Sequence, residues 1–179
     1  MIKEKFNLEG KVAVITGASK GIGKAIAIGF AEFGAHVVVS SRDADAVKIV
    51  ENEINSKGFS ASSLKCHVGD SNDRDNLIEN TLKTHGRIDI LVNNAGTNPY
   101  FGPIHKMPKE AYQKTMDINL NSAIDLSNLV YPVMKKQNSG NIIHISSIEG
   151  IHPSKFMSCL LYTSPSPRDA TLSRMPSSA

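Results

Sequence analysis

Tryptophan is absent from the 179 residues, cysteine occurs only twice, and aromatic residues together make up 6%. Two thiols, Cys66 and Cys159, are too few for a disulfide framework, which points to a reducing, cytoplasmic setting rather than a small secreted scaffold. Charge of one sign is lacking too: 20 Lys and Arg against 17 Asp and Glu leave +3. The cations are scattered and no stretch alternates bases with aromatics, so no nucleic-acid surface is expected. No apolar run reaches the length that spans a bilayer, and no membrane partner is expected. The opening MIKEKFNLEGK lacks an apolar core and a cleavage site, so it does not read as a secretory signal. The six histidines never fall at i, i+4 with a carboxylate partner, and no metal site is expected. What is present, 40% hydrophobic and 21% charged residues over one domain's length, fits a globular core.

Strands and helices alternate along the chain. KVAVITG (11–17) is a short apolar run that stops at glycine, the pattern of a buried strand. Ile22, Ala25, Ile26, Ile28 and Phe30 then recur at helical spacing, with Gly34 as a C-cap candidate. HVVVSS (36–41) reads as a second strand, followed by a helix at 43–57 ended by Gly58. A strand near 60–68 and a helix near 72–85, stopped by Gly86, come next. IDILVNN (88–94) is a fourth strand. Pro99, Gly102, Pro103 and Pro108 mark a loop before helical patterns at 109–117 and 119–137, and NIIHISS (141–147) is a fifth strand. Nearly all-apolar strands with short βα links imply parallel pairing under helices on both faces. The expected fold is therefore α/β: a doubly wound parallel sheet of the Rossmann type, with ligands at the carboxyl ends of its strands.

TGASKGIG (16–23) joins the first strand to the first helix. Gly17 allows a sharp turn, Gly21 lets backbone approach a pyrophosphate, and Gly23 lets helix and strand pack closely. The free N–H groups and dipole of a helix start favour an anion here. A strand–helix turn without a ligand is the plainer alternative. The spacing is not G-x-G-x-x-G. It resembles the T-G-x-x-x-G-x-G fingerprint of the short-chain dehydrogenase/reductase family. NNAG (93–96), DINLN (117–121) and NIIHISSIEG (141–150) resemble further motifs of that family, and the likeness covers residues 7–158. HVVVSSR, CHVG and NNAGTNPYFG look closest to its NADPH-dependent carbonyl and retinal reductase branch.

The resemblance implies an oxidoreductase that passes a hydride between a nicotinamide dinucleotide and a carbonyl or alcohol. Gly17, Gly21 and Gly23 would shape the pyrophosphate turn, and Ser19, Lys20 and Ile22 would bind the cofactor from the same turn. Ser41 and Arg42 stand where enzymes of this kind that use NAD carry an acid for the adenosine ribose. With Lys20 nearby, two cations and no carboxylate favour NADP(H) over NAD; plain solvation of both is the alternative, and Asp43 could pair with Arg42. His67 and Val68 would border the adenine, His67 equally as a loop filler. Asn94, Ala95 and Gly96 would line the cofactor by backbone approach, while Asn93 reads as a strand-end turn residue. Ser147 matches the family's serine, with Ser146 as the alternative, and Asn119 its asparagine, which would hold a helix irregularity and a relay water; an N-cap is the other reading of Asn119.

The family's proton donor is a tyrosine in Y-x-x-x-K, where a lysine cation lowers the phenol pKa. Its expected position is Leu160. Tyr162 is close, but Ser166 stands four residues on, and Pro165 and Pro167 oppose a helix. CLLYTSPSPRD and SRMPSSA can be reverse-translated into two blocks of a transposon-end sequencing adapter. Residues 1–158 are thus expected to be an incomplete dinucleotide-binding domain, cut after the fifth strand, and 159–179 a non-native, disordered tail. The parent is expected to be a homo-oligomer, and this chain an inactive fragment with an exposed fifth strand.

Overall fold

The computed structural model describes residues 6–150 and residue 163. Five strands form one parallel sheet: β1 (Val12–Thr16), β2 (His36–Ser41), β3 (Ala61–Lys65), β4 (Ile90–Asn93) and β5 (Asn141–His144). Their order across the sheet is β3-β2-β1-β4-β5. The chain winds outward from β1 to β3, then crosses back to lay β4 along the free side of β1, with Val14 paired to both Val38 and Leu91. This reversal makes the sheet doubly wound and opens a crevice above the carboxyl ends of β1 and β4.

Alternation along the strands splits the core in two. Ala13, Ile15, Val37 and Val39 face α1 (Gly21–Glu32) and α2 (Ala44–Ser56), whose Ala27, Ala31, Val47, Val50 and Ile54 fill that layer. Val12, Val14, Val38 and Leu91 face the other side. There they meet Leu77 and Ile78 of α3 (Ser71–His85), and Leu126, Val130 and Met134 of α5 (Ser122–Gln137). Helix α4 (Lys109–Met116) runs into α5 through a π-helical turn, Asp117–Asn121. The two helical patterns seen in the sequence are therefore one continuous helical stretch with a widened turn at the motif DINLN.

Several expected boundaries move. The third strand ends at Lys65 rather than 68, because residues 66–70 turn out of the sheet to form a loop over the crevice. The fifth ends at His144. The expectation that every strand lies between two helical layers holds for β1, β2 and β4 and fails at the edges: three of the four β5 residues are exposed. Among the described residues nothing covers the outer side of β5. The foot of the sheet is held by Asp89, 2% exposed, which accepts from Val12 N–H at 3.0 Å and from Arg87 Nε at 2.7 Å. Burial pushes this carboxyl up, but the Arg87, Val12 and Lys11 donors hold it below the usual range. Among the described residues no helix is long and apolar enough to cross a membrane.

Candidate functional site

The turn after β1 is fixed by groups on β4. Thr16 is buried at the strand end, and its Oγ1 accepts from the N–H groups of Asn94 (3.0 Å) and Ala95 (3.1 Å) while donating to Val92 O. Asn94 Nδ2 in turn donates to Thr16 O at 2.9 Å and Gly17 O at 3.1 Å. Gly17 has φ +63° and faces Ala95 so closely that a Cβ would lie 2.9 Å from its Cα. At Gly23 a Cβ would meet Asn94 Nδ2 at 2.4 Å and Gly17 O at 2.5 Å. Gly21, at φ +58°, has open space around it. Gly17 and Gly23 thus permit close approach of backbone and side chain, and Gly21 leaves room. The locking roles of Thr16 and of the Asn94 amide escaped the sequence reading; a hydroxyl at the end of an otherwise apolar strand was the available signal.

Above this turn lies a cleft of about 460 Å³. It is lined by Gly17, Ser19, Lys20 and Ile22 from the turn, by Ser41, Arg42 and Asp43 after β2, by Cys66, His67 and Val68 after β3, and by Asn94, Ala95, Gly96 and Thr97 after β4. Gly21 and Gly23 shape the turn without lining the cleft. Helix α1 starts with no capping side chain, whereas α2 and α3 are capped by Asp43 and Asp70. Its first N–H groups and dipole are left for an anion.

Two cations open on the same cleft. Lys20 and Arg42 are exposed, and neither makes an ion pair among the described residues. Asp43 does not take up Arg42; its Oδ1 caps α2 at Ala46 N–H, 3.0 Å away. The Ser41 hydroxyl donates to Asp43 O at 3.0 Å and accepts from Asp43 N–H, so its proton braces this loop and is not offered to the cleft. Deeper in, burial and the Asp73 charge push the Cys66 thiol up to about 11, which keeps it neutral. His67 N–H donates to Asp73 Oδ2 at 2.8 Å. The N–H of Val68 has no partner among the described residues, although Val68 is only 7% exposed. On the wall of the cleft this N–H can donate to a bound ligand. The cradle, the uncapped helix start, the two cations and this N–H together suit a dinucleotide.

Asn119 is not an N-cap. It sits inside the π-helical turn and clasps the backbone of Thr97, accepting from its N–H at 2.7 Å and donating to its carbonyl at 2.8 Å. Its Nδ2 also lies 3.2 Å from Thr163 Oγ1. The irregular turn and the loop after β4 are thereby one unit. Ser147 does not line the cleft. It begins the 3-10 turn Ile148–Gly150, and its Oγ accepts from Glu149 N–H at 3.2 Å. Asn93 turns away from the cleft, donating toward Ala123 O and Ser127 Oγ on α5. Leu160, Tyr162 and the rest of the expected tail, Thr163 apart, lie outside the described residues.

Residues 11–164 match the family described as short chain dehydrogenase. The chain is 42% identical over 147 residues to human Dehydrogenase/reductase SDR family member 4, an alignment covering 82% of this chain and 53% of that protein. It is 40% identical over 146 residues to Short-chain dehydrogenase/reductase SDRA of Arabidopsis thaliana, covering 82% and 57%. The chain therefore spans about half the length of the curated relatives it matches. A metagenomic short-chain oxidoreductase solved in complex with NADP superposes with a TM-score of 0.85 at 36% identity, over 93% of this chain and 75% of that one. A 7 alpha-hydroxysteroid dehydrogenase complexed with NADH and 7-oxo glycochenodeoxycholic acid gives 0.84 at 37%, over 88% and 61%.

Proposed function

The chain belongs to the short-chain dehydrogenase family, and on that premise we propose that it is the dinucleotide-binding part of an NADP(H)-dependent oxidoreductase acting on a carbonyl or alcohol. The observation that carries this reading is a pair of exposed cations, Lys20 and Arg42, without an ion pair among the described residues, on the cleft above an uncapped helix start. The glycine turn and the α1 N–H groups would take the pyrophosphate. Arg42, with a planar fork, and Lys20 would take the ribose 2′-phosphate. Relatives have been solved with NADP and with NADH; the charge at this corner favours the phosphorylated form. Val68 N–H would donate to a ring nitrogen of the adenine. His67 fills the loop, and its backbone is already engaged by Asp73.

The nicotinamide would supply or accept the hydride. Ser147 would donate its hydroxyl to the substrate oxygen as negative charge develops there. Asn119 would keep the Thr97 loop and the widened turn in place beside the reacting groups. We take the proton donor to be a Y-x-x-x-K pair of the parent enzyme, missing from these residues: the last lysine is Lys155. The parent would belong with carbonyl and retinal reductases and work as a homo-oligomer in the cytoplasm. The 179 residues alone would then bind cofactor with turnover close to none, residues 159–179 being a non-native extension. A non-catalytic NADP(H)-binding protein is the second reading, favoured by the same missing pair.

Fluorescence titration of the full chain with NADPH and NADH tests the cofactor. Arg42→Ala is expected to weaken NADPH about tenfold and leave NADH unchanged. Equal losses for both, or no binding of either, would sink the assignment. Genomic DNA read across codon 158 separates the two readings: a Y-x-x-x-K reading frame supports the enzyme, and an encoded tail supports the binding protein.

A further inference from the structure

We propose that Arg74, on α3 outside the cleft, is a positioning residue for the dinucleotide: its guanidinium holds the 66–70 loop so that Val68 N–H presents to the adenine. This rests on the cofactor reading above. The loop leaves β3 with Cys66 N–H bonded to Ser41 O at 2.9 Å, and enters α3 with Asp70 accepting from Asn72 and Asp73 N–H. Between these anchors the first turn of α3 engages the loop twice. Asp73 accepts from His67 N–H, and Arg74 Nη1 donates to Val68 O at 2.7 Å. These bonds lie on either side of Val68 N–H, one on the preceding residue's amide and one on Val68's own carbonyl. They hold the peptides on either side of the one that carries Val68 N–H, whose own carbonyl, His67 O, accepts from Asp70 N–H at 2.8 Å; Arg74 thus fixes the loop on the side of Val68 that Asp70 and Asp73 leave open.

Arg74 is itself fixed. It is 9% exposed, and its Nη2 reaches Asp125 Oδ2 on α5 at 2.5 Å. The planar fork spans from the loop to a helix on the far side of it, a span that a single ammonium does not bridge in the same way. A buried arginine whose Nε has no partner among the described residues is costly to keep. Fixing the donor geometry at the cleft wall is the benefit that offsets it.

The test uses the full 179-residue chain with NADP and its hypoxanthine analogue, in which the ring nitrogen N1 carries a proton and no longer accepts. The unsubstituted chain is expected to prefer NADP by about tenfold in calorimetric titration. Arg74→Met should bring the preference close to one, and Arg74→Lys, which keeps one donor, should restore part of it. A merely structural arginine would weaken both ligands in parallel and leave their ratio alone; that result overturns the proposal. Where Arg74→Met does not fold, Asp125→Asn decides, because the Asp125 side chain is 46% exposed: an unchanged ratio there overturns the proposal and a reduced one supports it. If the unsubstituted chain binds NADP without preference, the proposal falls and the cofactor reading stands. If it binds neither ligand, both fall.

Discussion

At the scale of single residues, the site depends on atoms that are missing. Gly23 has no Cβ, and that space is filled by the Asn94 amide and the Gly17 carbonyl. Gly23→Ala therefore forces either the amide or the helix start to move. We expect a loss of about 2 kcal/mol in stability, in the range for overpacking a tight site, with NADPH binding weakened. Urea denaturation and the same fluorescence titration read the two effects. The demand at Gly17, Gly21 and Gly23 was legible in the sequence because it is local and falls between a strand and a helix. The Asn94 lock was not, since the amide reaches a partner 78 residues away. Arg74 was equally hidden. A basic side chain near the start of a helix reads as solvated until a second helix is placed against it. Ser41 lines the cleft, but its hydroxyl proton goes to Asp43, and no composition rule reveals which way a hydroxyl points.

At the scale of elements, the start of β2 meets the end of α3 through a pair of histidines. The ring of His36 lies 4.1 Å, centre to centre, from that of His85 at the end of α3. Its two nitrogens meet Ser60 Oγ at 2.6 Å and Ser62 Oγ at 2.9 Å. Burial, and for His36 the neighbouring His85, lower both pKa values; Glu51 opposes this at His36 without reversing it. The folded chain thus binds fewer protons than the unfolded one between the lowered values and about 6.5. Stability should be fully expressed above that pH and fall as the solution is acidified through it. The urea midpoint is expected to drop between about pH 7.5 and about pH 5, and His85→Gln should flatten the change. A midpoint that rises on acidification would contradict this. Alternating strands and helices were readable because apolar runs of 4–6 residues between glycines leave few alternatives. The π-helical turn was marked only by the resemblance of DINLN, since five polar and apolar residues in mixed order fit an ordinary helix as well.

At the scale of the whole molecule, the sheet is protected in its middle and open at one side. Ile143 on β5 is 38% exposed, and the outer backbone of that strand has no partner among the described residues. An apolar open edge is a template for pairing with another chain. The 179-residue chain is expected to self-associate, and Ile143→Lys should shift its light-scattering mass toward a single copy while leaving the cleft intact. The fifth strand was readable as a strand. Its exposure was not, because an apolar run does not say what lies over it.

The crossing from β3 back to β4 has a consequence for the order of events during synthesis. The glycine turn leaves the ribosome before the groups that lock it, on Asn94 and Ala95, which follow more than seventy residues later. The first three strands can assemble beforehand, since they are neighbours in both sequence and space. The nascent protein therefore passes through a stage with a formed half-sheet and an unlatched anion pocket. A nucleotide is then a late guest, one that rewards the closing of the sheet and has no part in starting it.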